Sequence, residues 1–159
     1  MKQSEIWYID ERAEQLAIVY LTRRDDLTIM PAYKDDTGLD YLVRIRTPDP
    51  QAKHIFGVRV NGVLARSALP HYTDHAPEVN PMMSRAESLQ SAEIPVCTLL
   101  FVMETDEGFY RWVQEPIITP AGIATLQSSS DAAFKPLDTD ALARIVARVN
   151  QWYGAAHQA

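Results

Sequence analysis

The N-terminal part of the chain carries apolar residues at helical spacing. Residues three and four positions apart share one face of a helix, and this spacing predicts a helix from about Ser4 to Arg24. Its apolar stripe consists of Ile6, Ile9, Ala13, Leu16, Ala17 and Tyr20. Glu14 lies beside this stripe, so its carboxylate is expected at the edge of the core, where it can serve a site or a salt bridge.

Three strand-like runs follow the helix. They are Leu27 to Tyr33, Leu39 to Thr47 and His54 to Val63. The short, turn-rich segments between them favour an antiparallel meander. Alternation along the strands places Asp40 at the beginning of the second run, and it points Arg59 and Asn61 to the same face of the third.

The middle of the chain contains one polar segment and one hairpin. The proline-containing segment from Ala65 to Gln90 is expected to leave the sheet, with a short helix around Ser84 to Ser91. The run from Ile94 to Met103 is apolar on both faces, as in a central buried strand. It is expected to pair through a tight turn with a strand from Phe109 to Ile118.

The C-terminal segment predicts a second amphipathic helix, which opens at Asp138-Thr139-Asp140. Its stripe consists of Leu142, Ile145, Val146, Val149 and Tyr153. Trp152 falls beside this stripe, which makes it a candidate for a contact surface. Together these elements predict one α/β domain over residues 1–159, with a mixed, mostly antiparallel central sheet flanked by helices.

Composition agrees with one folded domain. Of the 159 residues, 47% are hydrophobic and 23% are charged, which is the balance of an ordinary globular protein. The single cysteine, Cys97, lies in an apolar run, which excludes a disulfide framework and disfavours a catalytic thiol. No apolar stretch approaches the roughly 20 residues that span a bilayer, so a cytoplasmic protein without membrane contact is expected.

The charge of the chain bears on its partners. A net charge of −6 argues against broad electrostatic attraction to nucleic acid. The candidate basic patches are short and have acids nearby; they are Arg23-Arg24, Lys53-His54, and Arg44 with Arg46. Nucleic-acid binding is therefore not favoured, and a protein partner or a homo-oligomer is expected.

Several short motifs stand in a characteristic order. They are the helix with Glu14, Gly38-Leu39-Asp40, Gly57-Val58-Arg59-Val60-Asn61, Ile94-Pro95-Val96 and Phe109-Tyr110-Arg111-Trp112. From about Glu11 to Glu115 the chain resembles the restriction-endonuclease-like, or PD-(D/E)XK, superfamily. The likeness is to an uncharacterised bacterial group with a helical Glu, a Gly-hydrophobic-Asp strand start, a Gln-x-Lys strand and a Pro-Val strand. This resemblance implies a restriction-endonuclease-like core.

The resemblance also implies a site. In active members, the strand Asp and an acid or Gln on the next strand hold Mg²⁺, a Lys assists the attacking water, and the helical Glu completes the acidic ring. Carried over in that order, these positions are Asp40, Arg59, Asn61 and Glu14. Arg59 puts a positive charge where a cation should bind, and Asn61 lacks the lysine charge. The resemblance therefore implies a degenerate nuclease site, in which Arg59 is expected to pair with Glu14 and Asp40.

These observations predict a catalytically degenerate nuclease-fold domain that needs no cofactor and acts as a protein-interaction module. The resemblance implies a bacterial defence, mobile-element or toxin-neutralising setting. The alternative is an active Mg²⁺-dependent nuclease in which Lys34 or Lys53 replaces the missing lysine, with Asp40 and Glu14 as metal ligands. A homodimeric scaffold without a separate ligand is a third interpretation.

Purely structural interpretations of the same residues stay open. An Asp after a Gly at a strand start is common turn chemistry, and a Glu beside a helix stripe is usually solvated. Two histidines and an aspartate in His71-Tyr72-Thr73-Asp74-His75 form a weak zinc motif, for which a loop is the favoured interpretation because Pro70 and Pro77 flank it.

Overall fold

The computed structural model describes residues 3–32, 38–71, 94–129 and 133–157. Two α-helices lie at the ends of the chain, α1 (Gln3–Leu21) and α2 (Thr139–His157). The strands between them are β1 (Leu27–Pro31), β2 (Tyr41–Ile45), β3 (His54–Val63), β4 (Val96–Val102), β5 (Gly108–Ile118), β6 (Ala124–Ser128) and β7 (Lys135–Pro136). A short 3₁₀ helix, Arg66–His71, follows β3.

All seven strands belong to one mixed sheet. The order is β1-β2-β3-β4-β5-β6, and β7 pairs with β5. Only the β3–β4 pair among these strands is parallel; the other pairs are antiparallel. The predicted α/β class and the mixed, mostly antiparallel sheet are therefore confirmed.

Both helices contribute to one core with the first face of the sheet. The buried members of this core include Ala13 and Ala17 from α1, Ile145 and Val149 from α2, and Phe56 from β3. The close approach of α1 depends on a glycine. A Cβ atom at Gly62 would lie 2.6 Å from Cγ2 of Ile9 and 3.3 Å from Cβ of Ala13, so only a residue without a side chain lets the helix lie this near β3.

The second face of the sheet is the one opposite this core, and it carries two smaller apolar clusters. One is built on Leu39 and Val96 and includes Ala32, Leu42, Ile94 and Val113. The other is built on Leu100, Val102 and Phe109 and includes Val63, Leu69 and Phe134. Buried polar side chains lie on β3, β4 and β5 between these clusters.

The predicted elements correspond to observed helices and strands, most of which are shorter than predicted. The strand from His54 to Val63 is found with the predicted bounds, and the hairpin of β4 and β5 is present. Strands β6 and β7 were missed. They lie in a segment with few apolar residues, and pairing with β5 rather than alternation defines them. The predicted helix from Ser84 to Ser91 lies outside the described residues.

The sequence made Trp152 a candidate for a contact surface, and the structure corrects this expectation. Its side chain is buried and its indole Nε1–H donates a hydrogen bond to the Thr125 carbonyl oxygen at 2.8 Å. Trp152 thus connects α2 to β6, a strand that the sequence did not predict. Tyr153, which the stripe placed in the core, is half-buried and donates its hydroxyl to the Ile55 carbonyl.

Neither described helix combines the length and the apolar character that crossing a membrane requires.

Candidate functional site

Asp40 lies where β2 begins, next to β3. Its backbone N–H donates to the Val58 carbonyl at 2.9 Å, and its carboxylate Oδ2 accepts the Val60 N–H at 2.7 Å. The side chain therefore accepts a backbone hydrogen bond of β3 for which the backbone of the partner strand supplies no acceptor. Asp40 is only 7% exposed, so this contact is made away from bulk water.

Arg59 lies on β3 between the two residues that Asp40 contacts. Asp40 donates its N–H to the Val58 carbonyl and accepts the Val60 N–H, and the paired positions of the two strands begin at Tyr41 and Val58. Arg59 is 7% exposed. The structure thus brings together the strand aspartate and the position that the resemblance aligns with a metal-binding acid or Gln.

Asn61 and Glu14 lie further from this pair. Asn61 is half-buried, two positions after Arg59, and shares its face of β3. Glu14 belongs to α1, which packs on the first face of the sheet, whereas Arg59 and Asn61 point to the second. Burial, then the charges of Glu14 and Asp40, raise the pKa of Tyr41, so both acids lie within electrostatic reach of the Tyr41 hydroxyl. Glu14 and Asp40 therefore both lie near the beginning of β2.

The expected ion network around Arg59 does not form. The ion pairs among described residues are Arg12–Asp106, Arg24–Asp26, Arg66–Glu107 and Arg148–Glu115. None of them includes Arg59. Glu14 and Asp40 each make other interactions in the fold. Arg59 is therefore a buried guanidinium beside a carboxylate that is already engaged by β3.

Two residues on the second face were missed by the sequence analysis. Arg59 pairs with Thr98 on β4, and Thr98 pairs with Arg111 on β5. We call Arg59, Thr98 and Arg111 the arginine row. The Arg111 guanidinium carbon lies 4.2 Å from the centre of the Phe134 ring. The alternation Phe109, Arg111, Val113 could have shown that Arg111 points to the second face, but nothing in the sequence aligns it with Arg59.

Other sequence candidates fall away from this site or outside the described residues. Lys53 precedes β3 and lies six residues before Arg59, about 20 Å along an extended strand, so it cannot replace the missing lysine. Lys34 lies outside the described residues, as does the motif from Tyr72 to His75. In the described part of the chain, no three or more His, Cys, Asp or Glu side chains are placed to hold a metal ion.

The candidate basic patches are largely occupied by local contacts. Arg24 donates two hydrogen bonds to the Asp26 carboxylate, at 2.9 and 2.8 Å. The Arg23 guanidinium carbon lies 4.3 Å from the centre of the Tyr20 ring, and Arg44 donates to the Pro50 carbonyl. Of these contacts, only the Arg24–Asp26 pair neutralises a positive charge.

Cys97 is a buried core residue of β4. Burial raises the pKa of its thiol to about 12. We expect a thiol reagent at pH 8 to label the native protein far more slowly than the unfolded protein, because the thiolate is the reactive form. At pH values between the unfolded pKa of about 8.5 and the folded pKa, the folded thiol holds its proton more tightly than the unfolded thiol. The free energy of unfolding therefore falls as pH rises through this range. Equal labelling rates in the native and unfolded states would contradict this prediction.

No protein-family model, curated protein or solved structure matches this chain.

Proposed function

We propose that the chain is a catalytically degenerate domain of restriction-endonuclease-like ancestry that works by binding and not by cutting nucleic acid. One observation carries the proposal. The position where the resemblance requires a metal ligand holds Arg59, a buried residue between Val58 and Val60, the two residues of β3 that Asp40 contacts. A guanidinium offers only hydrogen-bond donors and repels Mg²⁺, which needs oxygen ligands. The residues at this position do not fit a metal ion.

The geometry around Asp40 supports the ancestry. The resemblance pairs an aspartate at the start of one strand with catalytic positions on the next strand. Asp40 occupies the start of β2 and holds β3 through the Val60 N–H. Arg59 and Asn61 follow on one face of β3, with Glu14 near the same end of β2. Substitution at two of these positions, without loss of their arrangement, is expected when catalysis has been lost and the fold retained.

We further propose that the partner is a protein, in the cytoplasm of a bacterium. The net charge of −6 and the local contacts of Arg23, Arg24 and Arg44 disfavour a nucleic-acid surface. A defence, mobile-element or toxin-neutralising setting follows from the resemblance. Self-association of the chain is the nearest alternative, and a mass measurement in solution distinguishes it from binding to a different protein.

The decisive test restores the family pattern. We expect wild type neither to bind Mg²⁺ or Mn²⁺ in isothermal titration nor to nick supercoiled plasmid. The double variant Arg59→Gln, Asn61→Lys removes the repelling charge and supplies the lysine, so we expect it to gain Mn²⁺ binding. Adding Asp40→Asn should abolish that binding. The matched control is Arg46→Gln, which removes one arginine charge from an exposed position.

Two results would contradict the proposal in different ways. Plasmid cleavage by wild type that disappears in Asp40→Asn would establish an active nuclease. A folded double variant that binds no more Mn²⁺ than Arg46→Gln would show that Asp40 and β3 do not form an inherited metal site.

A further inference from the structure

The arginine row is an arrangement that the degenerate nuclease site does not explain. Arg59, Thr98 and Arg111 occupy directly paired positions on three neighbouring strands. Their exposed fractions are 7%, 0% and 8%. Two guanidinium groups are thus held in the middle of a sheet, between the two apolar clusters of the second face.

Thr98 lies at the centre of this row and is fully buried. Its hydroxyl Oγ1 has no hydrogen-bond partner among the described residues. Leaving a buried hydroxyl unsatisfied costs about 1–3 kcal/mol, so such groups commonly mark a place where a ligand or water binds. Valine has the same shape without this cost, which makes a threonine here informative.

The charge of the row favours an anion. The row holds two arginines and no acid, and the Asp40 carboxylate accepts the Val60 N–H. Asp40 and Arg111 each make at least one further interaction in the fold. Arg59 forms none of the described ion pairs. Arg59 is 7% exposed, and an oxyanion would offset the cost of holding its charge at such low exposure.

The dimensions suit one small oxyanion. Neighbouring strands lie about 4.8 Å apart, so the Cα atoms of Arg59 and Arg111 lie about 10 Å apart with Thr98 midway. Arginine side chains are long enough for both guanidiniums to converge above Thr98. Phe134 stacks on one side of the Arg111 guanidinium, and the buried Arg111 Nε has no hydrogen-bond partner within the described part of the chain, so this N–H can donate to a ligand in the plane of the group.

We propose that the arginine row binds a small oxyanion of the phosphate or carboxylate class, with Arg59 and Arg111 donating from either side and the Thr98 hydroxyl from below. The low exposure of all three residues favours a small free anion over a group carried on a folded partner. The proposal does not depend on nuclease ancestry, because it uses β4 and β5 residues that lie outside the family's metal motif.

The test is a titration at constant ionic strength, with chloride replaced by inorganic phosphate in one series and by acetate in another. We expect the thermal midpoint of wild type to rise by several degrees when the anion exceeds its dissociation constant about a hundredfold. The anion that gives the larger rise in thermal midpoint identifies the ligand class as phosphate or carboxylate. Arg59→Lys, Arg111→Lys and Thr98→Val should each weaken binding at least tenfold, whereas Arg46→Gln should respond like wild type.

Isothermal titration of phosphate and of acetate into wild type keeps the test independent of variant folding. No saturable binding of either anion would overturn the proposal. It would also be overturned if Arg59→Lys and Thr98→Val responded like Arg46→Gln, because the rise would then reflect general exclusion of the salt from the surface. Failure of this test leaves the Mn²⁺ result of the double variant unaffected, so the two proposals fail separately.

Discussion

Replacing Gly62 with alanine is expected to lower the free energy of unfolding by about 1–3 kcal/mol, because an added methyl group would overpack the contact between α1 and β3. The new Cβ would meet Cγ2 of Ile9 at 2.6 Å and the Ile9 backbone oxygen at 3.2 Å. The side chain can rotate, but the backbone oxygen moves only with the helix. Ala13, at 3.3 Å, closes the remaining side of the contact.

Gly154 is the matched control for this substitution. It lies in α2, and a Cβ there would meet nothing within 4 Å. Gly154→Ala should therefore raise stability by about 0.5–1 kcal/mol, since alanine favours the helix. Chemical denaturation of both variants measures the contrast. If Gly62→Ala were as stable as wild type, α1 would not lie as close to β3 as the structure has it.

Replacing Asp40 with alanine is expected to cost about 1–3 kcal/mol of stability, whatever the function of the site. The change leaves the buried Val60 N–H without its acceptor and removes a negative charge from the edge of β3. Asp40 thus has a structural role in addition to any inherited one. A loss of metal or anion binding in Asp40→Ala would be ambiguous for this reason.

Asp40→Asn separates the two roles. The asparagine side-chain oxygen can accept the Val60 N–H, while the charge that would hold a metal ion is lost. We expect Asp40→Asn to retain more stability than Asp40→Ala in the same denaturation experiment. Equal losses in the two variants would show that the negative charge of Asp40, and not its hydrogen bond to β3, is what stabilises this end of the sheet.

Local patterns predicted most of the individual elements. Helical spacing identified α1 and α2 because each helix buries one face, and alternation identified β2 and β3, although the middle of β3 is buried on both faces. The run of β4 predicted a central strand because it is apolar on both faces, and all of its residues are buried. β6 and β7 were not predicted, because short, exposed strands have no buried face of their own and depend on the strand they pair with.

The candidate site was predictable only in part. The resemblance named Glu14, Asp40, Arg59 and Asn61, and the structure sets Asp40 against Val58 and Val60, the neighbours of Arg59 on β3. It does not provide the expected ion pairs of Arg59, since the Asp40 carboxylate is turned to the Val60 N–H. Which of two nearby donors a carboxylate accepts depends on distances of a few tenths of an ångström, and a linear pattern contains no such distances.

By itself, the sequence determined the class of the domain, the faces of its main strands and the absence of an acid and a lysine at Arg59 and Asn61 on β3, because these properties depend on residue type and on spacing along one element. Only the tertiary structure decided the parallel register of β3 and β4, the burial of Trp152 and the alignment of Arg59, Thr98 and Arg111. Thr98 and Arg111 lie 13 positions apart, Thr125 and Trp152 lie 27 apart, and Arg59 and Thr98 lie 39 apart. Their positions follow from packing and hydrogen bonding between elements, which local periodicity does not specify.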